Sequence, residues 1–264
     1  MNATTQARLN ELDGVLDAQQ PTADLAGELF AIVDVIERQP ALRRALTDPS
    51  TAERGLSALV EALFGGKVSK AAQTVLIEAA KLRWGSTGGL ADAIERQAVR
   101  ALLSAAQETG RLDEVEDELF RFGRVVAGDP ALRSALADRT TDLAARRQLV
   151  AELLAGKARP ETVELAQRAV AARRRTYDLT VADYLKIAAA LRARQIAHVV
   201  VARPLTAEQT DRLRAALSKQ LGRDLTLQVT IDPNVLGGVR VSVGDEVIEG
   251  TVSKRLTDAE RQIS

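Results

Sequence analysis

Apolar residues recur at helical spacing through roughly the first three quarters of the chain. Leu25, Leu29 and Ile36 fall on one face of a predicted helix, because positions three, four or seven apart share a face. A shorter helix is predicted to begin at Pro40, since the N–H group that proline lacks is not needed in a first helical turn. Gly66 follows a third apolar stripe and is predicted to end it. The pattern predicts helices that each bury one face, as in a bundle.

Most of this helical region occurs twice, at an offset of 90 residues. The segment ELFAIVDVIERQPALRRALTD at 28–48 aligns with ELFRFGRVVAGDPALRSALAD at 118–138, and 11 of the 21 positions are identical. The alignment continues without insertion from LVEALFGGK at 59–67 to LVAELLAGK at 149–157. Self-similarity at a fixed period indicates a duplicated structural unit.

A long helix is predicted between the two copies, in the segment TGGLADAIERQAVRALLSAAQETG. The positions 90 residues before and after this segment also have helical patterns, so one helix is expected to close the first bundle and open the second. We therefore predict a mainly α chain of two related helical bundles that share this helix, followed by a small C-terminal α/β domain. The expected boundaries are 1–109 for the first bundle, 90–196 for the overlapping second bundle and 197–264 for the α/β domain.

The period of the pattern changes in the last part of the chain. HVVVA is rich in branched residues, as buried strands are, while LTLQVTI and VRVSV alternate apolar and polar residues as half-buried strands do. Between the first two segments, Thr206 and Gln209 form a T-x-x-Q capping box that predicts the start of a helix. Asp232 and Pro233 follow the second strand as a turn signal.

Two adjacent glycines, Gly237 and Gly238, raise the question of a phosphate site. A glycine-rich loop binds phosphate when it joins a strand to a helix, because the first N–H groups of the helix then point at the anion. Here the glycines lead into a strand. We therefore predict a bulge or a close approach of backbones, and a tight hairpin turn at Gly244 and Asp245.

The composition argues against several classes of function. No cysteine occurs and His198 is the only histidine, which excludes disulfides, thiolate chemistry and nearly every zinc site. The 36 basic and 36 acidic residues cancel, and aromatic residues make up only 3%, so nucleic acid and anionic membranes are not expected as partners. Because there is neither an uninterrupted run of 18 apolar residues nor a signal-peptide pattern, we expect a soluble cytosolic protein.

An arginine cluster and two aromatic residues are interpreted first as structural. We expect Arg168 and the arginines at 173–175 to form a solvated or salt-bridged helix end, although clustered arginines can also contact phosphates. Trp84 and Tyr177 are expected at the edge of the core, although either residue could anchor a partner helix. No residue is grouped as a catalytic or metal site requires, and no cofactor is expected.

The C-terminal elements together resemble one protein family. The segment from Ala202 to Leu256 is similar to the delta subunit of F-type ATP synthases in its Pro-Leu-Thr helix entry, Asp-Pro strand end, Leu-Gly-Gly step and Gly-Asp hairpin. The residues that carry this signature are Pro204, Thr206, Asp232, Pro233, Gly237, Gly238, Gly244, Asp245 and Gly250. Glu249 departs from the family, which usually has Asp-Gly before its final helix.

The segment EDELFRFGRVVAGDPALRSALAD also resembles the N-terminal helical domain of this family, so the resemblance extends from about Leu90 to Ser264. Removing one 90-residue unit leaves 174 residues, about the ordinary length of a delta subunit. The first copy is the departure from the family pattern. The chain is therefore similar to an actinobacterial-type delta subunit with a duplicated helical domain.

The resemblance implies a non-catalytic stator subunit, part of the peripheral stalk of a proton-translocating F-type ATP synthase. The helical bundles would hold N-terminal helices of alpha subunits and the C-terminal domain would hold the end of the b subunit, so that the head resists the torque of the rotor. It implies a place on the cytoplasmic face of the plasma membrane, with membrane association only through the complex. The alternative is a helical adaptor of another cytosolic assembly, which the duplication alone would suit.

A docking groove for an alpha helix is expected on the second bundle, between the long helix and a helix predicted from about Pro160 to Arg173. The candidate residues are Val99, Leu102, Leu103, Ala106, Val163, Ala166 and Val170. The alternative is that all of them are ordinary core, because most positions of an apolar stripe face their own bundle.

Overall fold

The structure is a computed structural model that describes residues 3–48, 50–86, 88–171, 176–193, 196–221, 225–233, 238–243 and 246–249. The chain divides into two compact units, Met1–Ala188 and Ala189–Ser264. Most of the described residues are helical, which confirms the mainly α prediction. The finer division at 1–109, 90–196 and 197–264 stays a prediction.

Both copies of the repeat are built from helices. In chain order they are α1 (Ala3–Ala18), α2 (Ala23–Arg38), α3 (Pro40–Thr47), α4 (Glu53–Phe64), α5 (Lys70–Lys81), α6 (Gly89–Glu108), α7 (Leu112–Gly128), α8 (Pro130–Ala137), α9 (Leu143–Leu154), α10 (Pro160–Val170) and α11 (Tyr177–Ala193). No helix in the described part of the chain is both long enough and apolar enough to cross a membrane.

Local sequence explains several of the helix ends. The hydroxyl of Ser69 accepts a hydrogen bond from the N–H of Ala72, as an N-cap residue does. Pro40 occupies the first turn of α3, as the sequence predicts. Gly66 and Gly156 follow α4 and α9 with φ angles of 70° and 69°. Glycine adopts this left-handed conformation without the strain of a Cβ atom, so both glycines end their helices.

The duplication is visible in the structure as well as in the sequence. Helices α3 and α8, and likewise α4 and α9, begin and end at positions that differ by 90 residues. One tertiary contact is repeated as well. Glu28 accepts hydrogen bonds from the N–H and hydroxyl of Ser69, and Glu118 accepts them from the N–H of Arg159 and the hydroxyl of Thr162. In each copy a glutamate of the second helix therefore holds the start of the fifth.

The long helix α6 belongs to both copies. It packs against α1, α2 and α5 of the first copy and against α7 and α10 of the second. Because neighbours surround it, most of its residues are buried, and these include the polar Gln97, Arg100 and Ser104. The predicted long helix shared by two bundles is confirmed.

The second unit contains the end of α11, a four-stranded sheet and one further described helix. Its elements are β1 (Ile196–Val201), α12 (Ala207–Leu221), β2 (Thr226–Ile231), β3 (Val239–Val243) and β4 (Glu246–Glu249). The strand order is β2-β1-β3-β4, in which β1 pairs parallel with β2 and antiparallel with β3. Helix α12 makes the crossover between the two parallel strands, and its Leu217 packs in one core cluster with Ala197, Val199 and Val241.

Several predicted turn and cap residues of this unit have the expected geometry. The N–H of Thr206 donates to the side chain of Gln209, and the N–H of Gln209 donates to the hydroxyl of Thr206, which confirms the capping box. The N–H of Asp232 donates to the carbonyl oxygen of Val201 at 2.9 Å, which ties the end of β2 to the end of β1. Gly238 has a φ of 90°, the left-handed conformation that favours glycine.

The remaining signature residues divide into two groups. Pro204 and Pro233 are exposed in short connections beside α12 and β2. Gly237, Gly244, Asp245 and Gly250 lie outside the described residues.

Candidate partner-docking surfaces

The seven candidate groove residues lie on α6 and α10, two helices that pack against each other. Six of them, Val99, Leu102, Leu103, Ala106, Ala166 and Val170, are buried with at most 5% of their surface exposed. Val163 is half-buried. The six buried side chains are covered by the chain's own helices, because α6 has neighbours from both copies around it. Of the seven, Val163 therefore offers most of the surface that a partner can contact directly.

A polar contact joins the end of α6 to the start of α10. Arg111, in the turn after α6, donates a hydrogen bond to the carboxylate of Glu161 at 2.7 Å. Glu161 is itself buried, whereas the side chain of Arg111 is 38% exposed, so the ion pair is only partly shielded from solvent. One turn further along α10, burial raises the pKa of Glu164, although the charge of Arg168 opposes that change. The first turns of α10, which carry Val163, are therefore also the site of two carboxylates, those of Glu161 and Glu164.

Arg168 of α10 joins the two copies of the repeat. Its guanidinium lies over the ring of Phe30 in α2, with Cζ 4.5 Å from the ring centroid. It donates a hydrogen bond to Asp34 of α2 at 2.9 Å and lies 3.9 Å from Glu95 of α6. A guanidinium that stacks on an aromatic face and pairs with carboxylates is held in one orientation. The expectation of a salt-bridged helix end is confirmed for Arg168, and the arginines at 173–175 lie outside the described residues.

A second arginine lies beside this inter-copy contact. Burial lowers the pKa of Arg147 in α9, and the like charge of Arg168 lowers it further, whereas Asp34 and Glu95 act in the opposite direction. Two arginines of the second copy therefore face carboxylates of α2 and α6, which concentrates charge at the contact between the copies.

The first copy has a buried ion-pair network whose acidic residues are not repeated in the sequence of the second copy. Arg96 binds the carboxylate of Asp13 with both terminal nitrogens, and Gln97 donates to the same carboxylate at 2.9 Å. Arg100 pairs with Asp17 at 2.6 Å. Ninety residues further on, Asp13 and Asp17 are replaced by leucine and glutamine. These residues were not predicted as a group, and their departure from the repeat is the sequence signal that distinguishes them.

The two aromatic residues considered from the sequence pack within the first unit. The indole N–H of Trp84 donates to the carbonyl oxygen of Ala79 at 2.8 Å. Tyr177 is 7% exposed, and its ring meets that of Phe122 edge to face with centroids 6.2 Å apart. Both contacts fit the prediction that these residues lie at the edge of the core.

The second copy exposes apolar side chains that the first copy covers. Phe30 is 4% exposed, whereas its counterpart Phe120 is 53% exposed. Val125 is 56% exposed and Leu153 is 37% exposed, while the matching Val35 and Leu63 are half-buried. The two copies therefore differ in how much apolar surface they expose at matching positions.

The sheet of the second unit also exposes apolar side chains at its β2 edge. Val229 and Ile231 pair with Val199 and Val201 and therefore lie on the same face as the core cluster, but they are 37% and 52% exposed. This outcome differs from the half-buried strand that the alternation predicts, because β2 is an edge strand that α12 covers only in part. His198 lies on the other face and is exposed.

No group of histidine, cysteine, aspartate and glutamate side chains in the described ranges is arranged to hold a metal ion. The features described above are surfaces and contacts between helices.

Residues 94–263 match the protein family described as ATP synthase delta (OSCP) subunit. This match begins within α6, the helix that belongs to both copies, and continues through the rest of the second copy and the sheet.

Similarity to individual proteins extends over the whole chain. Proteins named ATP synthase subunit delta from Kineococcus radiotolerans and Streptomyces avermitilis are each 44% identical, over 99% of this chain and 96% of the relative. A protein of the same name from Streptomyces griseus subsp. griseus is 40% identical over 100% of both chains. These relatives therefore include the first copy as well.

One solved structure, a cryo-EM structure of the Toxoplasma gondii mitochondrial ATP synthase hexamer, contains a similar chain. The similar chain is 19% identical to this one, and the alignment covers 62% of this chain and 94% of that chain, with a TM-score of 0.33. A TM-score of this size does not establish a shared arrangement of the elements.

Proposed function

This chain belongs to the ATP synthase delta (OSCP) subunit family, and we propose that it is a non-catalytic stator subunit of a proton-translocating F-type ATP synthase. In this role it links the alpha/beta catalytic head to the b subunit of the peripheral stalk and resists the torque of the rotor. The observation that carries the proposal is the match of residues 94–263 to the family, together with relatives of the same name that align over nearly the whole chain.

We propose that the helical bundles bind N-terminal helices of alpha subunits. A helix bundle accepts an amphipathic helix by taking its apolar positions into a groove. Val163 would contact the partner directly, and the six buried residues around it would hold α6 and α10 at a fixed spacing. The first copy would extend this contact or take a second alpha N-terminus, since it keeps the same helices in the same order.

We propose that the C-terminal unit binds the end of the b subunit. The support for this proposal is the pair of exposed branched side chains, Val229 and Ile231, which continue the apolar face of the sheet. The complex would sit on the cytoplasmic face of the plasma membrane, and the chain would reach the membrane only through its partners. It would bind neither a cofactor nor nucleic acid.

Two sets of matched variants test the partner assignments by titration calorimetry with the full chain. Val163→Glu is expected to weaken binding of an alpha N-terminal peptide about tenfold or more, because a carboxylate then enters the apolar contact. Leu179→Glu on α11 is the control, since Leu179 is 48% exposed. Ile231→Lys is expected to weaken binding of a b C-terminal peptide, whereas Val247→Lys, on the opposite face of the sheet, is not.

A reconstitution tests the function itself. Heads and membranes that lack the delta subunit are combined with the full chain, and proton-driven ATP synthesis is measured beside ATP hydrolysis by the free head. The proposal expects synthesis to be restored and hydrolysis by the free head to stay unchanged. If the folded chain does not restore ATP synthesis with heads and membranes from its own organism, that result would contradict a stator role.

A further inference from the structure

Strand β2 is an unprotected edge of the sheet in the second unit. The strand order β2-β1-β3-β4 leaves β2 at one edge and β4 at the other. Edge strands of soluble proteins usually carry charged residues or proline, because their free N–H and C=O groups can otherwise pair with another chain. Strand β4 follows this rule with Glu246 and Glu249. Strand β2, with the sequence TLQVTI, has neither a charged residue nor a proline.

The ladder with β1 identifies the backbone groups that β2 presents at this edge. The N–H of Asp232 donates to the carbonyl oxygen of Val201, so the backbone of Asp232 points toward β1. Successive residues of a strand direct their N–H and C=O groups to opposite sides. Leu227, Val229 and Ile231 therefore direct theirs away from β1. No strand in the described part of the chain pairs with them on that side.

The side chains of the same three residues continue the apolar face of the sheet. Leu227 packs in part against the core cluster, whereas Val229 and Ile231 are 37% and 52% exposed. The opposite face of β2 carries only hydroxyl and amide side chains. A strand that pairs with β2 must therefore place apolar residues on one face and uncharged polar residues on the other.

Strand β2 itself has the sequence that this edge requires. When two β2 strands pair antiparallel with Val229 opposite its own counterpart, Leu227 lies opposite Ile231 and Gln228 lies opposite Thr230. Every apolar side chain then stays on the apolar face, whereas a shift of one residue would reverse the faces. The outward N–H and C=O groups of each strand bond those of the other. No like charges meet, because β2 has no charged residue.

We propose that the free chain associates with a second copy of itself by antiparallel pairing of the two β2 strands, around a twofold axis at Val229. The two sheets then form one continuous sheet. The contact buries less than the roughly 1,200 Å² of a stable interface, so the dimer is weak and reversible. The inference does not rest on the proposed function, because the pairing uses only the edge of β2 and forms whether or not the b subunit binds there.

Sedimentation velocity of the full chain tests the association. Loading concentrations from about 1 to 200 μM cover weak affinities, and a shift from monomer to dimer is expected over this range. Val229→Lys is expected to weaken the association about tenfold or more, because two ammonium groups then lie opposite each other at the axis. Val247→Lys on β4, a position that is 57% exposed, is the matched control and keeps the dimer.

A proline variant separates the backbone bonds from the side-chain contact. Val229→Pro removes an N–H group that points outward and leaves the ladder with β1 in place, as proline does on an edge strand. It adds no charge. It is therefore expected to weaken the association by a similar factor, and circular dichroism checks that the variant is folded.

A disulfide cross-link tests the register of the pair. The chain contains no cysteine, so a single introduced cysteine reports on one position. In the proposed pair the two copies of position 229 have Cα atoms about 5.5 Å apart, within reach of a disulfide. The two copies of position 231 lie four residues apart along the strands, more than about 13 Å. Val229→Cys is expected to form a covalent dimer under mild oxidation, and Ile231→Cys is not.

Three results would overturn the proposal. The first is a chain that stays monomeric up to about 200 μM, which would leave the β2 edge to an extended segment of a different protein. The second is a dimer that the folded lysine and proline variants of Val229 leave unchanged. The third is equal cross-linking of Val229→Cys and Ile231→Cys, which would show that the copies meet in another register or through another surface.

Discussion

The guanidinium carbon of Arg168 lies 4.5 Å from the centre of the Phe30 ring, and this contact joins the two copies of the helical repeat. Neither residue has an equivalent contact in the other copy. The position 90 residues after Phe30 is the exposed Phe120, and the position 90 residues before Arg168 is Glu78. The contact therefore exists because two copies lie side by side in one chain.

Phenylalanine truncation measures how much this contact stabilises the fold. Phe30→Ala is expected to lower the free energy of unfolding by about 3–5 kcal/mol, because a large side chain is removed from a buried position. Phe120→Ala is the matched control and is expected to change it by less than about 0.5 kcal/mol, since its side chain is exposed. Urea unfolding followed by circular dichroism checks both values, and equal losses would contradict the assignment of the contact.

The charge of Arg168 makes a separate contribution. Arg168→Met keeps the length of the side chain but leaves Asp34 without this partner, and is expected to cost about 1–3 kcal/mol. This estimate lies below the usual cost for a fully buried pair because the side chain of Asp34 is 34% exposed. A double-mutant cycle with Asp34→Asn isolates the pair, and a coupling energy near zero would show that the ring contact acts alone.

The ion pair of Asp13 predicts a loss of stability in acid. Burial acts to raise the pKa of Asp13, but hydrogen bonds from Arg96 and Gln97 and the charges of Arg96 and Arg100 outweigh it and hold the pKa below the ordinary value. A lowered carboxylate pKa contributes stability that is complete above the ordinary pKa of about 3.9 and is lost as the pH falls through the folded value.

Asp13→Asn tests this linkage. It is expected to cost about 2–4 kcal/mol at neutral pH, because Arg96 then lacks a buried counter-charge. The difference from the natural chain should narrow as the pH falls below about 4. Denaturant unfolding at several pH values gives this difference. A difference in the free energy of unfolding that stays constant down to about pH 2.5 would contradict the linkage. As a control, the pH dependence of this difference should be smaller when Arg96 is replaced by glutamine.

Two glycine-to-alanine substitutions are expected to change the stability of the chain in opposite directions. Gly66→Ala is expected to destabilise the chain by about 1–2 kcal/mol, because alanine is strained at a φ of 70°. Gly27→Ala, inside α2 with no atom within 4 Å of the added Cβ, is expected to stabilise it by about 0.5–1 kcal/mol. Thermal unfolding of both variants provides the measurement. The same sign in both would show that the added methyl group, and not the backbone conformation, decides the effect.

The sequence predicted the parts of the fold that depend on local pattern. The repeat, the helix start at Pro40, the capping box at Thr206 and the long shared helix all follow from spacing and capping rules, and the structure contains them. The contact of Arg168 with α2 and α6 was not predictable in this way. It depends on how the two copies pack, and no residue near Arg168 in sequence indicates its partners.

The candidate docking residues also show what local sequence pattern cannot predict. An apolar stripe identifies a buried face but does not say whether the chain or a partner buries it. Val99, Leu102 and Leu103 lie on such a stripe, and the chain's own helices cover them. The exposed Phe120 and Val125 are the same residue types as their buried or half-buried counterparts Phe30 and Val35, so comparison of the two copies in the structure was needed to find them.

The shared helix α6 determines the size of the repeat by which a chain of this kind can be extended. Since the last helix of one copy serves as the first of the next, one repeat comprises five helices and 90 residues, although each bundle uses six helices. Insertion of a whole unit at this helix leaves the packed faces of the bundles covered. Removal of this helix, in contrast, would expose the apolar face of a bundle that it now covers. Chains built on this plan should therefore vary in length by steps of one unit, and their two bundles should unfold in a single transition.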